Sequence, residues 1–415
     1  METLERAVGN FVTGDKFWNR DGEIETFVEY LDEGAHVLMA APRRIGKTSL
    51  MREVALRVQD RYYCLHVDLQ KSESSADAVA ELGKATHRYK KNWGKTSEIF
   101  KNILNRVKQN IESVSVEDLT ITLRSGMTAG DWQAKGDQIF STLAETDKPV
   151  IVFFDELPIL INRLLKGKKY RITPERRRIT DAFMSWIRDN SIRHKGSVRI
   201  VITGSIGIEP ALRQADLSAS LNTFTPFVLP AWSQDTAIGC LKALANQYGV
   251  SFQEGALYRI TEKLGYLILH HVQLFFDNIY VDSKLHSRKE VTVDRVDEIY
   301  ETRMLSVQGH AELSHMEERL KMAFGLEVYP LALEILTDAA VTGYLDSEAA
   351  LAICKEYVLE GLTSKEVLRD ILEILQHDGY LQQEGEVFVF VSNLLKDWWK
   401  WRFGFGYTPV SERRA

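Results

Sequence analysis

Three stretches of the chain are apolar at successive positions: HVLMA (36–40), PVIVFFDELPIL (149–160) and the start of VRIVITGSIGIEP (198–210). Short continuous runs of this kind fit strands covered on both faces, as in a parallel sheet. YYCLHVDLQ (62–70) reads as a further strand. Behind the first run, Leu50, Met51, Val54, Ala55 and Val58 recur at helical spacing. Residues 75–145 are mostly helical in pattern, with NILNRVKQNI (102–111) amphipathic. That stretch is long for a simple crossover and predicts a helical excursion on the sheet core.

From Pro230 the pattern changes. SQDTAIGCLKALANQYGV, QEGALYRITEKLG and LILHHVQLFFDNIYVDSKL are expected to be successive helices with no strand between them. Beyond about residue 310 come LALEILTDAAV, AALAICKEYVL and SKEVLRDILEILQHDGYL, then LQQEGEVFVFV, two short strands around a Glu384-Gly385 turn. Helices followed by a small β-wing describe a winged helix. Trp398, Trp399 and Trp401 in NLLKDWWKWRF are expected to dock the tail onto it. The fold class is therefore α/β: an αβα parallel-sheet core over 1–228, a helical lid over 229–305, a winged-helix domain over 306–405 and a tail over 406–415.

Composition narrows this little. At 415 residues, two or three domains are expected, and 45% hydrophobic with 27% charged residues is the balance of a soluble globular protein. No apolar run approaches a membrane span, and METLERAVGNFVTGDKF lacks a signal-peptide core. Cys64, Cys240 and Cys354 lie far apart without metal-ligand spacing, which suits a reducing cytoplasm. His310, Glu312 and His315 lack the i, i+4 spacing of a helical zinc site. A net charge of −6 argues against wholesale coating of nucleic acid. The stretch 163–178, with eight basic residues against one acidic, is the candidate for touching nucleic acid or an acidic partner; the alternative is a solvated loop and helix face. The candidate recognition stretch of the winged helix, Lys365 to Asp378, is by contrast acidic, the wrong balance for phosphate contact.

The chemistry begins at Ala41-Pro42-Arg43-Arg44-Ile45-Gly46-Lys47-Thr48-Ser49, between the first strand and its helix. Unpaired amides and the dipole of a helix N-terminus attract phosphate there. Lys47 would reach the β- and γ-phosphates, and the Thr48 hydroxyl would ligate Mg²⁺. Glycine is usual where Ala41 stands; if that position needs positive φ, alanine costs roughly 1–2 kcal/mol. The second strand ends in Asp155-Glu156, where α/β sheets place ligands. Asp155 would hold Mg²⁺ through water, and Glu156 would orient and deprotonate an attacking water. Thr203 or Ser205, at the exit of the third strand, would sense the γ-phosphate or the water. The choice between them stays open.

FWNRDGEIE, APRRIGKTSL, VIVFFDELP, IVITGSIGIEPALR and FTPFVLPAWS together resemble a P-loop ATPase of the AAA+/STAND group. The resemblance is to the archaeal/bacterial ATPase-like branch related to origin-recognition initiators. It implies ATP and Mg²⁺ as cofactors and makes Phe17 and Arg20 candidate contacts to the base. It also implies a nucleotide-sensing Gly-x-Pro on the lid; here Gly265 stands without the proline, with His270 or His271 as possible substitutes. Arg188 and Arg213 are candidate arginines for a neighbouring copy, should the chain form a homo-oligomer. The expected function is an ATP-hydrolysing molecular switch that regulates a protein partner in defence or signalling. The alternatives are an ATP-gated nucleic-acid binder acting through 163–178 and a slow or inactive nucleotide-binding scaffold.

Overall fold

A computed structural model describes residues 4–7, 9, 11–87, 130–167, 172–204, 207–305, 307–357 and 364–413. Segment 102–111 and Ser205 lie outside these residues. The chain divides into two compact units, one of residues 21–40 and 50–228, the other of 1–20, 41–49 and 229–415.

In the first unit, α1 (Asp21–Asp32) precedes β1 (His36–Ala40), whose chain continues through the loop 41–46 into α2 (Lys47–Arg57). There follow β2 (Tyr63–Asp68), α3 (Ser75–His87), α4 (Trp132–Ala144), β3 (Val150–Asp155), α5 (Leu157–Lys166) and α6 (Pro174–Arg193). β4 (Val198–Gly204), α7 (Ile208–Arg213) and β5 (Phe224–Val228) complete it. The five strands lie in the order β2-β3-β4-β1-β5, all parallel, so each connection crosses over through helix. Every residue of β4 is buried, as its unbroken apolar run demands. Register pairs Val37 with Val201 and Asp68 with Asp155.

One buried imidazole in this unit is matched on both ring nitrogens. The His36 ring, pushed below its ordinary pKa chiefly by burial, bonds the Ser191 carbonyl through Nε2 at 2.9 Å and accepts from the Ile200 amide through Nδ1 at 2.9 Å. That pair of bonds fixes a neutral tautomer. Burial likewise pushes the Cys64 thiol up to about 12, so it stays protonated at neutral pH.

The second unit holds α8 (Gln234–Tyr248), β6 (Ser251–Phe252), α9 (Ala256–Leu264), α10 (Leu269–His286), β7 (Glu290–Val291) and α11 (Val293–Ile299). Its helix starts follow the sequence: Ser233 and Thr292 accept from the amides of Thr236 and Arg295 as N-caps, and Gly249 closes α8 in the left-handed region. β6 and β7 pair in parallel, which corrects the expectation of helices with no strand between them. A two-residue strand is too short to leave an alternating pattern.

The chain then runs through α12 (Val307–Thr342), β8 (Leu345–Asp346), α13 (Ser347–Glu356), α14 (Ser364–His377), β9 (Leu381–Glu384), β10 (Val387–Phe390) and α15 (Asn393–Phe403). α12 breaks at Gly325, where φ is 73°. The three strands form an antiparallel sheet in the order β8-β10-β9, in a helix–strand–helix–helix–strand–strand sequence of elements. Trp398 and Trp399 are wholly buried, while Trp401 is 54% exposed, contrary to the expectation that all three dock. Trp401 follows Trp399 by two helical positions, about 200° around the helix, and so faces away.

A single hydrophobic core runs from Leu4 and the α8 residues through α12 to Trp399. The stretches 229–305 and 307–413 are also tied by polar contacts. Tyr300 donates to Asp397 at 2.8 Å, and Asn393 Nδ2 to the Glu262 carbonyl at 3.0 Å. Gly265 is required by this junction: its φ is 67°, and a Cβ there would come within 3.0 Å of the Asn393 amide. No helix among the described residues is long and apolar enough to cross a membrane.

The tightest glycine in the sheet is Gly204, where a Cβ would sit 2.2 Å from Pro158 Cγ. Gly204→Val is expected to destabilise the protein by about 1–3 kcal/mol through overpacking, read as a lowered urea midpoint for the sheet-containing unit.

Candidate active site

The loop 41–49 is built by its backbone. Positive φ falls on Arg44, at 66°, and on Gly46, at 100°; among the described residues Ala41 is not one of these positions. The substitution of alanine for glycine therefore carries no left-handed strain. Gly46 has a second reason to be glycine, since a Cβ would lie 3.1 Å from Leu269 Cδ2. Ile45 is buried and anchors the loop. The Lys47 side chain, only 6% exposed, folds over the loop and donates from Nζ to the carbonyls of Ala41 at 2.6 Å and Pro42 at 2.9 Å. Thr48 stands in the first turn of α2, and Ser49 Oγ accepts from the Val12 amide at 3.0 Å.

The loop also meets α10 and the turn at Gly379 within its own unit. The Arg44 guanidinium donates to His270 Nε2, so that imidazole is a neutral acceptor. Burial lowers the Arg44 pKa to about 10, with the Arg43 charge adding to it. Pro42 meets the turn before β9, where a Cβ on Gly379 would lie 3.0 Å from its Cγ.

The N-terminal segment carrying Phe17 and Arg20 is stapled to α8. Trp18 Nε1 donates to the Thr236 carbonyl at 3.3 Å, and Asn19 Nδ2 to Thr236 Oγ1 at 3.2 Å. Arg20, 3% exposed with φ at 89°, donates through Nη2 to the Pro230 carbonyl at 2.7 Å. Phe17 is half-buried. Sequence reading singled out Phe17 and Arg20 but passed over Trp18 and Asn19, whose anchoring role had no signal beyond their place in the same run.

On the sheet, the acidic pair and Thr203 are positioned by strand ends. Thr203, fully buried, donates from Oγ1 to Asp155 Oδ1 at 2.6 Å, fixing that carboxylate. Glu156 adopts φ 58° and ψ 30°, a left-handed conformation for a non-glycine residue, as the chain turns from β3 into α5 with Pro158 in the first helical turn. Strain of about 1–3 kcal/mol at such a position persists where the surrounding structure imposes it, and it clusters at functional sites. β3 and β4 are parallel, so the acidic pair after β3 and Thr203 on β4 leave one edge of one sheet.

Other candidates fall elsewhere. Arg188 and Arg213 are exposed, on α6 and at the end of α7. In the basic stretch, Arg163 donates to the carbonyls of Gln70 at 2.5 Å and Ser72 at 2.8 Å. Arg176 donates to the Leu164 carbonyl at 3.2 Å, near the end of α5. Both charges thus serve to cap backbone.

Residues 37–220 match the family described as "ATPase family associated with various cellular activities (AAA)". This stretch is an AAA ATPase domain. In fold, the chain is similar to the Walker-type ATPase paby2304 of Pyrococcus abyssi, at 16% identity over 95% of this chain and 99% of that one, with a TM-score of 0.59. More distant are the Aeropyrum pernix ORC2 protein in ADPNP–ADP complexes (14% identity, 93% and 96% covered, TM-score 0.49) and the Thermotoga maritima RuvB Holliday junction branch migration motor (14%, 91% and 93%, TM-score 0.41). No curated protein matches the sequence. The AAA domain thus begins at Val37 in β1 and includes the loop, the acidic pair and Thr203.

Because Ala41 is unstrained, Ala41→Gly is expected to leave steady-state ATP turnover within about threefold of wild type, and a larger gain would reveal a conformational demand at that position.

Proposed function

We propose that the protein is an ATP-driven switch whose C-terminal unit holds the phosphate loop and answers to the nucleotide bound there. The observation that carries this reading is that loop 41–49 packs with the lid and the winged helix: Gly46 against Leu269, Arg44 on His270 and Pro42 against Gly379. A nucleotide seated on the loop meets those elements directly, and the shared core passes any shift of α10 on to α12 and α15. The partner regulated this way is a protein, on this reading. The commitment of Arg163 and Arg176 to backbone carbonyls supports that over nucleic-acid binding through 163–178.

The residues fit a magnesium nucleotide. The Lys47 ammonium already rests on two loop carbonyls, and phosphate oxygens would take over as its stronger acceptors. The Thr48 hydroxyl and Asp155, oriented by Thr203, supply oxygen ligands of the kind Mg²⁺ prefers. Bound Mg²⁺ would neutralise charge on the β- and γ-phosphate oxygens. Glu156 accepts a proton from the water that attacks the γ-phosphorus, and the bond from that phosphorus to the bridging oxygen breaks, leaving ADP and phosphate. Phe17 and the segment up to Arg20 would flank the base.

Glu156→Gln should retain nucleotide binding and lower the turnover number about 10²–10⁴-fold, the range of a lost general base. Lys47→Ala should abolish binding of both ATP and ADP in calorimetric titration. Unchanged turnover in Glu156→Gln removes the base from its role, and tight binding with no turnover by wild type favours the scaffold.

A further inference from the structure

Segment 407–413 lies across α12 and the end of α13 as a bound peptide would, and its hold is polar. Tyr407 donates its hydroxyl to Asp338 Oδ1 at 3.0 Å, and the Val410 amide donates to the same oxygen at 2.9 Å. Asp338, on α12, is 2% exposed, and among the described residues both hydrogen bonds to its carboxylate come from this segment. An occupant that buries this carboxylate must therefore bring donors. One helical turn earlier, Glu334 accepts from Arg413 Nη2 at 2.5 Å, and Glu356 at the end of α13 accepts from Nη1 at 2.7 Å. The guanidinium also donates to the Tyr407 hydroxyl at 3.1 Å, so tyrosine and arginine close on each other over three acids. Apolar anchoring is slight: Pro409 is buried and Val410 half-buried, while Thr408, Ser411 and Glu412 are exposed.

The segment is joined to α15 through Gly404-Phe405-Gly406. Gly406 has φ 73°, and Gly404 packs against the end of α12, where a Cβ would lie 3.2 Å from Val341 Cγ2. Phe405 between them is 99% exposed, with Trp401 in the last turn of α15 at 54% and Tyr344 just past α12 at 50%. Glycines on either side let the linker reorient at low cost, and exposed aromatics gathered at one linker mark a surface that another molecule covers. In a reciprocal exchange of segments, two such linkers run past each other across a two-fold axis, which brings the two Phe405 rings together. We propose that the groove of Asp338, Glu334 and Glu356 takes segment 407–413 from a second copy of this chain, giving a segment-exchanged dimer with Phe405 at its centre. Each groove keeps the same bonds, so the exchange gains the aromatic area buried at the linker. It needs no nucleotide and stands apart from the ATP reading.

Size exclusion with light scattering on full-length protein tests this. Wild type should show a dimer fraction that rises with concentration. Two variants separate exchange from other association: Arg413→Glu, and Glu334→Arg combined with Glu356→Arg. Alone, each sets like charges against each other in both the folded-back and the exchanged arrangement, and should run as a monomer. Mixed in equal amounts they should form a heterodimer, because each segment then meets an oppositely charged groove only in the other copy. Adding Phe405→Ser to both should weaken that heterodimer about tenfold or more. A labelled peptide of residues 406–413 gives a readout that does not depend on those variants: by fluorescence anisotropy it should bind Arg413→Gln, whose own segment is loosened, more tightly than wild type. The proposal is overturned if wild type stays monomeric at every concentration, if the mixture stays monomeric while both variants melt as cooperatively as wild type, or if either variant dimerises alone. It is overturned equally if Phe405→Ser leaves the heterodimer intact, or if the peptide binds Arg413→Gln and wild type alike or binds neither.

Discussion

The bond on which the catalytic edge depends is the one from Thr203 to Asp155, 2.6 Å long and buried between neighbouring strands. It exists because β3 and β4 are parallel and in register, with Phe154 opposite Ile202, so that the last residues of both strands reach the same edge. In a low-dielectric setting a hydroxyl donated to a carboxylate fixes the orientation of that group. The adjacent Glu156 is held in a left-handed turn by the immediate start of α5, and Gly204 admits Pro158 against the strand end. One tight turn thus places two carboxylates on successive residues.

The second unit follows a different economy. Its helices from α8 to α15 share one core, and polar bonds such as Tyr300 to Asp397 add direction to it. Within this frame the His270, His271 and His315 imidazoles are held neutral chiefly by burial, with the Arg44 charge adding to it.

Much of the sheet was legible because a strand buried on both faces must be apolar at every position, and VIVFFD and VRIVITG are. The loop was legible because Gly46, Lys47 and Thr48 are contiguous, and the acidic pair because it ends a strand. The short β6–β7 pairing left no periodic trace, and Trp401 shared a tryptophan-rich run with two buried neighbours while facing out. The question raised by Ala41 needed a torsion angle, and the positive values proved to lie at Arg44 and Gly46.

By itself, the sequence determined which groups exist to do chemistry and which segments become strands or capped helices, since these are written within a few residues of one another. Only the tertiary structure decided that the loop packs with α10 and the Gly379 turn, that Arg163 and Arg176 serve backbone carbonyls, and that Arg319 is buried with two nitrogens unanswered. Those outcomes depend on how whole faces of distant helices pack, and packing is settled by the sum of many weak, non-local contacts that leave no signature at any single position.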